Sequence, residues 1–356
     1  MKNTKKDISV KNYHLQTSQV IAPFAIPGAG TAQMVTKDDF PVLNGVTCYT
    51  LEIWQESMRL PHWHPNVSEL GYVVSGSIEV ILWRSPGETA VFTLTEGMCW
   101  FIPQASLHCL NNLGPEPAQL LVGFSSDQPQ DIDLHVAFNG VPAALRDAYT
   151  SPHTQLREWH GSTQNVLVGP LRLDPAVHHV LLTSPYGFDL AQTTPLFSDT
   201  ALGSVIWAVK SNWSILKNIS LLRARLKPGA SRDAIWYPDA GTLYVVARGT
   251  GRFTLIIAHE EPHSFDAGLH DYIFVPTGVL HTFCNNGTDD FEVIAFFTQD
   301  NPQPEVSLSV STAFFPPSII HTAMTHFGNE QEGGNPLKNL KHTKTSPYLL
   351  KLESPK

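Results

Sequence analysis

Two stretches of this 356-residue chain repeat one another at a fixed distance. Trp63 returns as Trp236, a spacing of 173 residues (236 − 63 = 173), and Pro65/Pro238, Gly76/Gly249, Pro103/Pro276 and His108/His281 keep that spacing. Arg59/Arg232 and Asn112/Asn285 obey it too, without a gap. Agreement at so many positions between distant segments marks a duplicated fold rather than one continuous domain. Within each copy, short Val/Ile/Leu/Phe/Tyr-rich runs such as LGYVVSG, EVILW and FIPQASLH alternate with Gly, Pro, Asn and Ser. These are strand and turn signals, so an all-β chain with a barrel or jelly roll in each half is expected. The 27 prolines and 24 glycines suit that turn-rich reading.

The repeat divides the chain into four parts. An N-terminal unit is expected over 1–150 and a C-terminal unit over 185–328. A connection over 151–184 separates them, with a short helix before it around AALRDAY. The segment 329–356, rich in Gly, Pro and Lys (Lys338, Lys341, Lys344, Lys351, Lys356), is expected to be a mobile tail. A net charge of −9, with no large basic run in the main body, argues against a nucleic-acid partner, and nothing suggests a membrane surface. The polar N-terminus carries no apolar signal region, and no apolar stretch is long enough to span a bilayer. Cys48, Cys99, Cys109 and Cys284 do not form a disulfide framework in so long a chain, so a cytoplasmic protein with reduced thiols is expected.

The chemistry concentrates in LPHWHPNVSELGYVVSG and EGMCWFIPQASLHCLNN. His62 and His64, two apart in a β segment, leave the same face. Pro65 and Asn66 turn the chain so that Glu69 comes back toward both imidazoles. His108 arrives from a distant strand entered through the Pro103–Ser106 turn. Any one of these histidines alone would read as a hydrogen-bonded core residue. Together, three imidazoles and a carboxylate point to a divalent site open to Mn, Fe, Ni, Cu or Zn, because the ligand types do not choose among them. Four protein ligands on an octahedral metal leave two positions for substrate or O₂. Arg59, three residues before His62, is placed to hold a carboxylate bidentately while one carboxylate oxygen binds the metal.

HWHPNVSELGYVVSG followed by GMCWFIPQASLH resembles the two cupin motifs, matched at every ligand position. The wider resemblance is to the oxalate decarboxylase-like and germin-like bicupins. It extends from Asp39-Phe40-Pro41, through Met58-Arg59, to PEVSLSVSTAFFPPSII. That resemblance implies two double-stranded β-helix (jelly-roll) barrels in tandem, most often with Mn(II), a small carboxylate substrate, and self-association as trimers or larger homo-oligomers. It also implies the substrate-holding role for Arg59 and a glutamate on a flexible lid after the last histidine. Here the lid region reads GFSSDQPQDIDL and has no glutamate. Asp127, Asp131 and Asp133 are its only acids, with Asp127 and Asp131 the candidates for proton handling.

At the same spacing the second copy replaces His62 by Ile235, His64 by Tyr237 and Glu69 by Thr242, and only His281 survives. No metal is expected there. Arg232, Tyr237 and His281 could still line a pocket for a small anion or polar ligand, or the barrel could simply be filled. Three functions compete: a metal-dependent decarboxylase or oxidase, a non-catalytic metal- or ligand-binding or storage bicupin, and a dioxygenase or isomerase on a larger substrate. The last requires a wide aromatic pocket built from Trp54, Trp63, Trp83 and Trp100.

Overall fold

The structure, a computed structural model, describes residues 12–16, 24–26, 28–150, 168–171, 184–325 and 348–351. Within these, the chain is two jelly rolls, each made of two antiparallel sheets, of seven and six strands in the first half and of seven strands each in the second. The first large sheet orders its strands Gly187–Asp189, Met98–Ile102, Glu69–Ser75, Ala118–Phe124, Thr47–Ile53, Gly30–Met34 and Phe24–Ile26. Its small partner carries Ile132–Asp133, Ser57–Trp63, Leu107–Asn112, Ser77–Ser85 and Glu88–Thr95 in that order. The second half repeats both sheets.

Alternation along the strands explains the long apolar runs. In ELGYVVS, Val73 points into the first jelly roll with Val80, Phe92 and Leu120. Leu70, Tyr72 and Val74 point the other way, into a second core shared with Leu243, Val245, Phe274 and Phe296 of the other half. The two large sheets are therefore buried on both faces, which is why their strands read as continuous hydrophobic stretches. Gly123 marks how closely they meet, since a Cβ there would stand 2.3 Å from the Phe296 ring.

The halves also exchange edge strands. His14–Leu15, at the start of the first unit, pairs with Tyr272 and Ile273 of the second. Gly187–Asp189, within the segment assigned from sequence to the second unit, pairs instead with Met98–Trp100 of the first. Each exchange covers an edge that would otherwise expose unpaired backbone groups. Short helices follow each barrel: Leu134–Gly140 and Ala143–Thr150, then Leu308–Phe314 and Pro317–Thr325.

The tail differs from expectation in one place. Leu349–Lys351 forms a strand on Ala230–Arg232, and Leu349 is buried. That stretch is anchored because the Ala230–Arg232 edge needs backbone partners and Arg232 donates a hydrogen bond to the Tyr348 carbonyl. The rest of the tail, 329–347 and 352–356, and most of the 151–184 connection lie outside the described residues.

Candidate metal centre

His62, His64, Glu69 and His108 come together inside the first jelly roll, all four buried, with their ligand atoms within 4.8 Å of one another. His62 lies opposite His108 across the Ser57–Trp63 and Leu107–Asn112 strands, and Glu69 begins the facing large-sheet strand. The register between those two small-sheet strands shifts between His108 and Leu110, a bulge on the side of Leu60–Pro61. This irregularity matters for Arg59. Residues three apart in a regular strand face opposite ways, yet the extra residue turns both Arg59 and His62 inward.

Each imidazole is aimed by its outer nitrogen. His62 Nδ1 lies 2.7 Å from the Leu60 carbonyl, His64 Nδ1 3.1 Å from that of Gln130, and His108 Nδ1 2.9 Å from that of Ser106. A carbonyl can only accept, so Nδ1 carries the proton and Nε2 faces the centre. Glu69 is aimed the same way: its Oε1 accepts from Trp100 Nε1 at 2.6 Å, leaving Oε2 at 3.0 Å from His64 Nε2 and 3.2 Å from His108 Nε2. Room for that indole comes from Gly71, where a Cβ would sit 2.0 Å from Trp100 Cζ2. Gly71→Ala is thus expected to push Trp100 off Glu69 and weaken metal binding about 10–100-fold, read by competition with a chelator.

The charges fit a cation. Burial, with Arg59, His108 and His64 nearby, pushes His62 well below the ordinary imidazole range, so it is neutral. Burial also disfavours a charged His64, but Asp131 and Glu69 outweigh it and raise its pKa to about 9. Glu69 is buried as well, yet His108 and His64 hold its carboxyl far below the usual carboxylate range. His62 Nε2 lies 3.2 Å from His64 Nε2, a contact that needs one proton between two nitrogens. Without metal, a proton on His64 Nε2 is what joins His62 to Glu69, and a divalent ion would take its place. Metal loading at pH 7 should therefore release at least one proton, that of His64, and apparent affinity should rise with pH up to about 9. Calorimetry in buffers of different ionisation enthalpy reads this directly, and release of no proton at pH 7 would contradict it.

Around the four candidate ligands lies a ring that sequence reasoning only partly found. Arg59 is 3% exposed, and its Nη2 lies 3.3 Å from Asp131 Oδ2 and its Nη1 3.2 Å from Asp133 Oδ1. Asp131 Oδ1 is also 2.6 Å from His64 Nδ1. Although buried, Asp131 stays below its ordinary pKa because His64 and Arg59 favour its charge. Asp127 does not join them: its carboxylate takes Lys37 Nζ and the Gly45 amide, each at 3.1 Å. Asp133 and Trp100 were not singled out for these roles. The DxD spacing on one strand face was the available signal for Asp133. The four tryptophans do not gather into an aromatic pocket. Trp100 is buried against Glu69, Trp54 bonds to Glu52, Trp83 is 46% exposed, and Trp63 lies between inward-facing His62 and His64 on their strand.

In the second jelly roll, Ile235 lies opposite His281, whose Nε2 bonds to the Tyr244 hydroxyl at 2.7 Å. Burial lowers His281 to about 4, so it is neutral. Arg232, Tyr237 and His281 do not form an open anion pocket. Glu305 bonds to Arg232 and accepts from the Tyr237 hydroxyl at 3.0 Å, while Arg232 Nη1 takes the Tyr348 carbonyl. An internal carboxylate already fills the place that a ligand anion would need.

Comparisons with known proteins agree with this architecture. An oxalate decarboxylase of Arthroderma benhamiae is 24% identical over 316 residues, covering 80% of this chain and 74% of its own length. Germin-like protein 1 of Brassica napus is 32% identical over 151 residues, 40% of this chain and 73% of that protein. The solved oxalate decarboxylase of Bacillus subtilis shares the fold with a TM-score of 0.81 at 19% identity, over 97% of this chain and 89% of that one. The cupin family matches twice in succession, at residues 20–158 and 190–332, so the chain belongs to that family as a bicupin of the oxalate decarboxylase-like and germin-like kind.

Proposed function

We propose that the chain is a metal-dependent enzyme acting on a small carboxylate, oxalate decarboxylase-like, with one metal per chain held by His62, His64, Glu69 and His108. The observation that carries this reading is the convergence of three Nε2 atoms and one carboxylate oxygen, each oriented from behind, beside a buried arginine. A divalent metal there, Mn(II) by family resemblance and Fe, Ni, Cu or Zn by ligand type, would supply Lewis acidity and a redox centre. Arg59 would orient a carboxylate through its planar fork. Asp131, held ionised between Arg59 and His64, is suited to positioning both groups rather than to donating a proton. Asp127, tied to Lys37 and Gly45, is suited to holding the loop.

That leaves the loop without a free carboxylic acid among these two, which favours a second reading: a metal- or ligand-binding bicupin with little or no turnover. Relatives named germin-like protein and spherulin accompany the decarboxylases and support keeping it. The dispersed tryptophans give the larger-substrate reading no support. Among the described residues no helix is long and apolar enough to cross a membrane, and all four cysteines are free thiols.

Metal analysis paired with an oxalate assay for CO₂, formate and peroxide tests the proposal. Near one metal per chain with formate indicates a decarboxylase, and peroxide indicates the oxidase variant. One metal without turnover sinks oxalate chemistry and leaves the binding protein or another substrate.

A further inference from the structure

We propose that Asp131 is an internal competitor: its carboxylate occupies the side of Arg59 that an incoming carboxylate must take, and so sets how tightly the site binds small carboxylates. The inference rests on the carboxylate reading above. Both terminal nitrogens of Arg59 are engaged, Nη2 by Asp131 and Nη1 by Asp133. The guanidinium keeps further N–H donors, but a third carboxylate approaching it meets the repulsion of both charges already on its fork unless one of the two leaves.

The two acids are not equally free to leave. Asp133 is 1% exposed, pairs with His62 in the small sheet, and directly precedes the Leu134–Gly140 helix. Moving its backbone would unpair the strand that lies beside His62. Asp131 has an 11% exposed side chain and stands before that strand, at the end of the loop that follows Phe124. Asp131 is therefore the more displaceable partner, at the cost of its 2.6 Å contact with His64 Nδ1.

The second jelly roll shows the same device in locked form. Ile132 pairs with Trp63 and Val306 with Trp236, so Glu305 stands where Asp131 does. Glu305 grips Arg232, and its extra methylene lets it accept from Tyr237, which stands where His64 does. An arginine filled by its own loop carboxylate is thus common to both barrels. The first differs by a shorter acid that leaves the position contestable.

Oxalate binding to the metal-loaded protein, measured by anaerobic titration calorimetry with metal content determined for each sample, tests this. Asp131→Asn removes the competing charge and should bind oxalate about tenfold tighter than wild type. Asp131→Glu keeps the competitor and should bind no tighter than wild type. Equal or weaker binding by D131N overturns the proposal. Should D131N lose its metal, D131E carries the test alone, and tighter binding by it is equally fatal. Absence of oxalate binding by wild type and D131N, both metal-loaded, overturns the carboxylate reading itself and this inference with it.

Discussion

Replacing Glu69 with glutamine should empty the first-barrel centre, dropping metal from near one per chain to below about a tenth and turnover by at least about 100-fold. Loss of a supporting hydrogen bond at such sites costs roughly 10–100-fold in affinity, and loss of the only anionic ligand should exceed that. Glutamine keeps the shape and still offers Trp100 an acceptor, so the fold should survive. What it removes is the charge that His64 and His108 face at 3.0 and 3.2 Å. Elemental analysis with a circular-dichroism melt separates the effects. Full metal content in E69Q would show that Glu69 is not a ligand, whereas a lost melt would indicate a structural role.

The second large effect is expected far from the metal. Glu305→Ala leaves the Arg232 guanidinium, 1% exposed, without its carboxylate, and should cost about 3–5 kcal/mol because an unpaired buried charge remains. For a barrel of this size that corresponds to a melting point lower by roughly 10 °C. Metal content should be unchanged, since the centre sits in the other jelly roll. The double variant Arg232→Met with Glu305→Leu should recover most of the loss, because apolar replacement of a buried pair is often neutral. A melting point unmoved by E305A would show that the pair does not hold the second barrel.

These two residues illustrate what a linear reading can and cannot reach. Glu69 was legible as a candidate ligand because its neighbours in the cluster are close in the chain: an HxH pair, a turn and a carboxylate within eight residues produce a local pattern that packing alone rarely demands. Glu305 was not. The constant spacing of 173 maps Asp131 onto Pro304, and the one-residue insertion in the second loop becomes visible only from strand pairing. Arg59 lies between the two cases. Its position three before His62 was plain, but a regular strand would have turned it outward. Only the bulge at Leu60–Pro61 brings it inward, where Asp131 and Asp133 neutralise it.

By itself the sequence determined the duplicated jelly-roll fold, the four candidate ligands and their loss in the second copy. Those features rest on periodicity, turn residues, donor chemistry and one constant spacing between the two copies, all of which can be read along the chain. Tertiary structure alone decided the strand exchange between halves, the anchoring of Leu349, the Trp100–Glu69 bond made possible by Gly71, and the carboxylates that occupy Arg59 and Arg232. Each of these pairs residues from segments with no local pattern linking them, and a buried charge or an open sheet edge takes whichever partner the folded chain brings within reach.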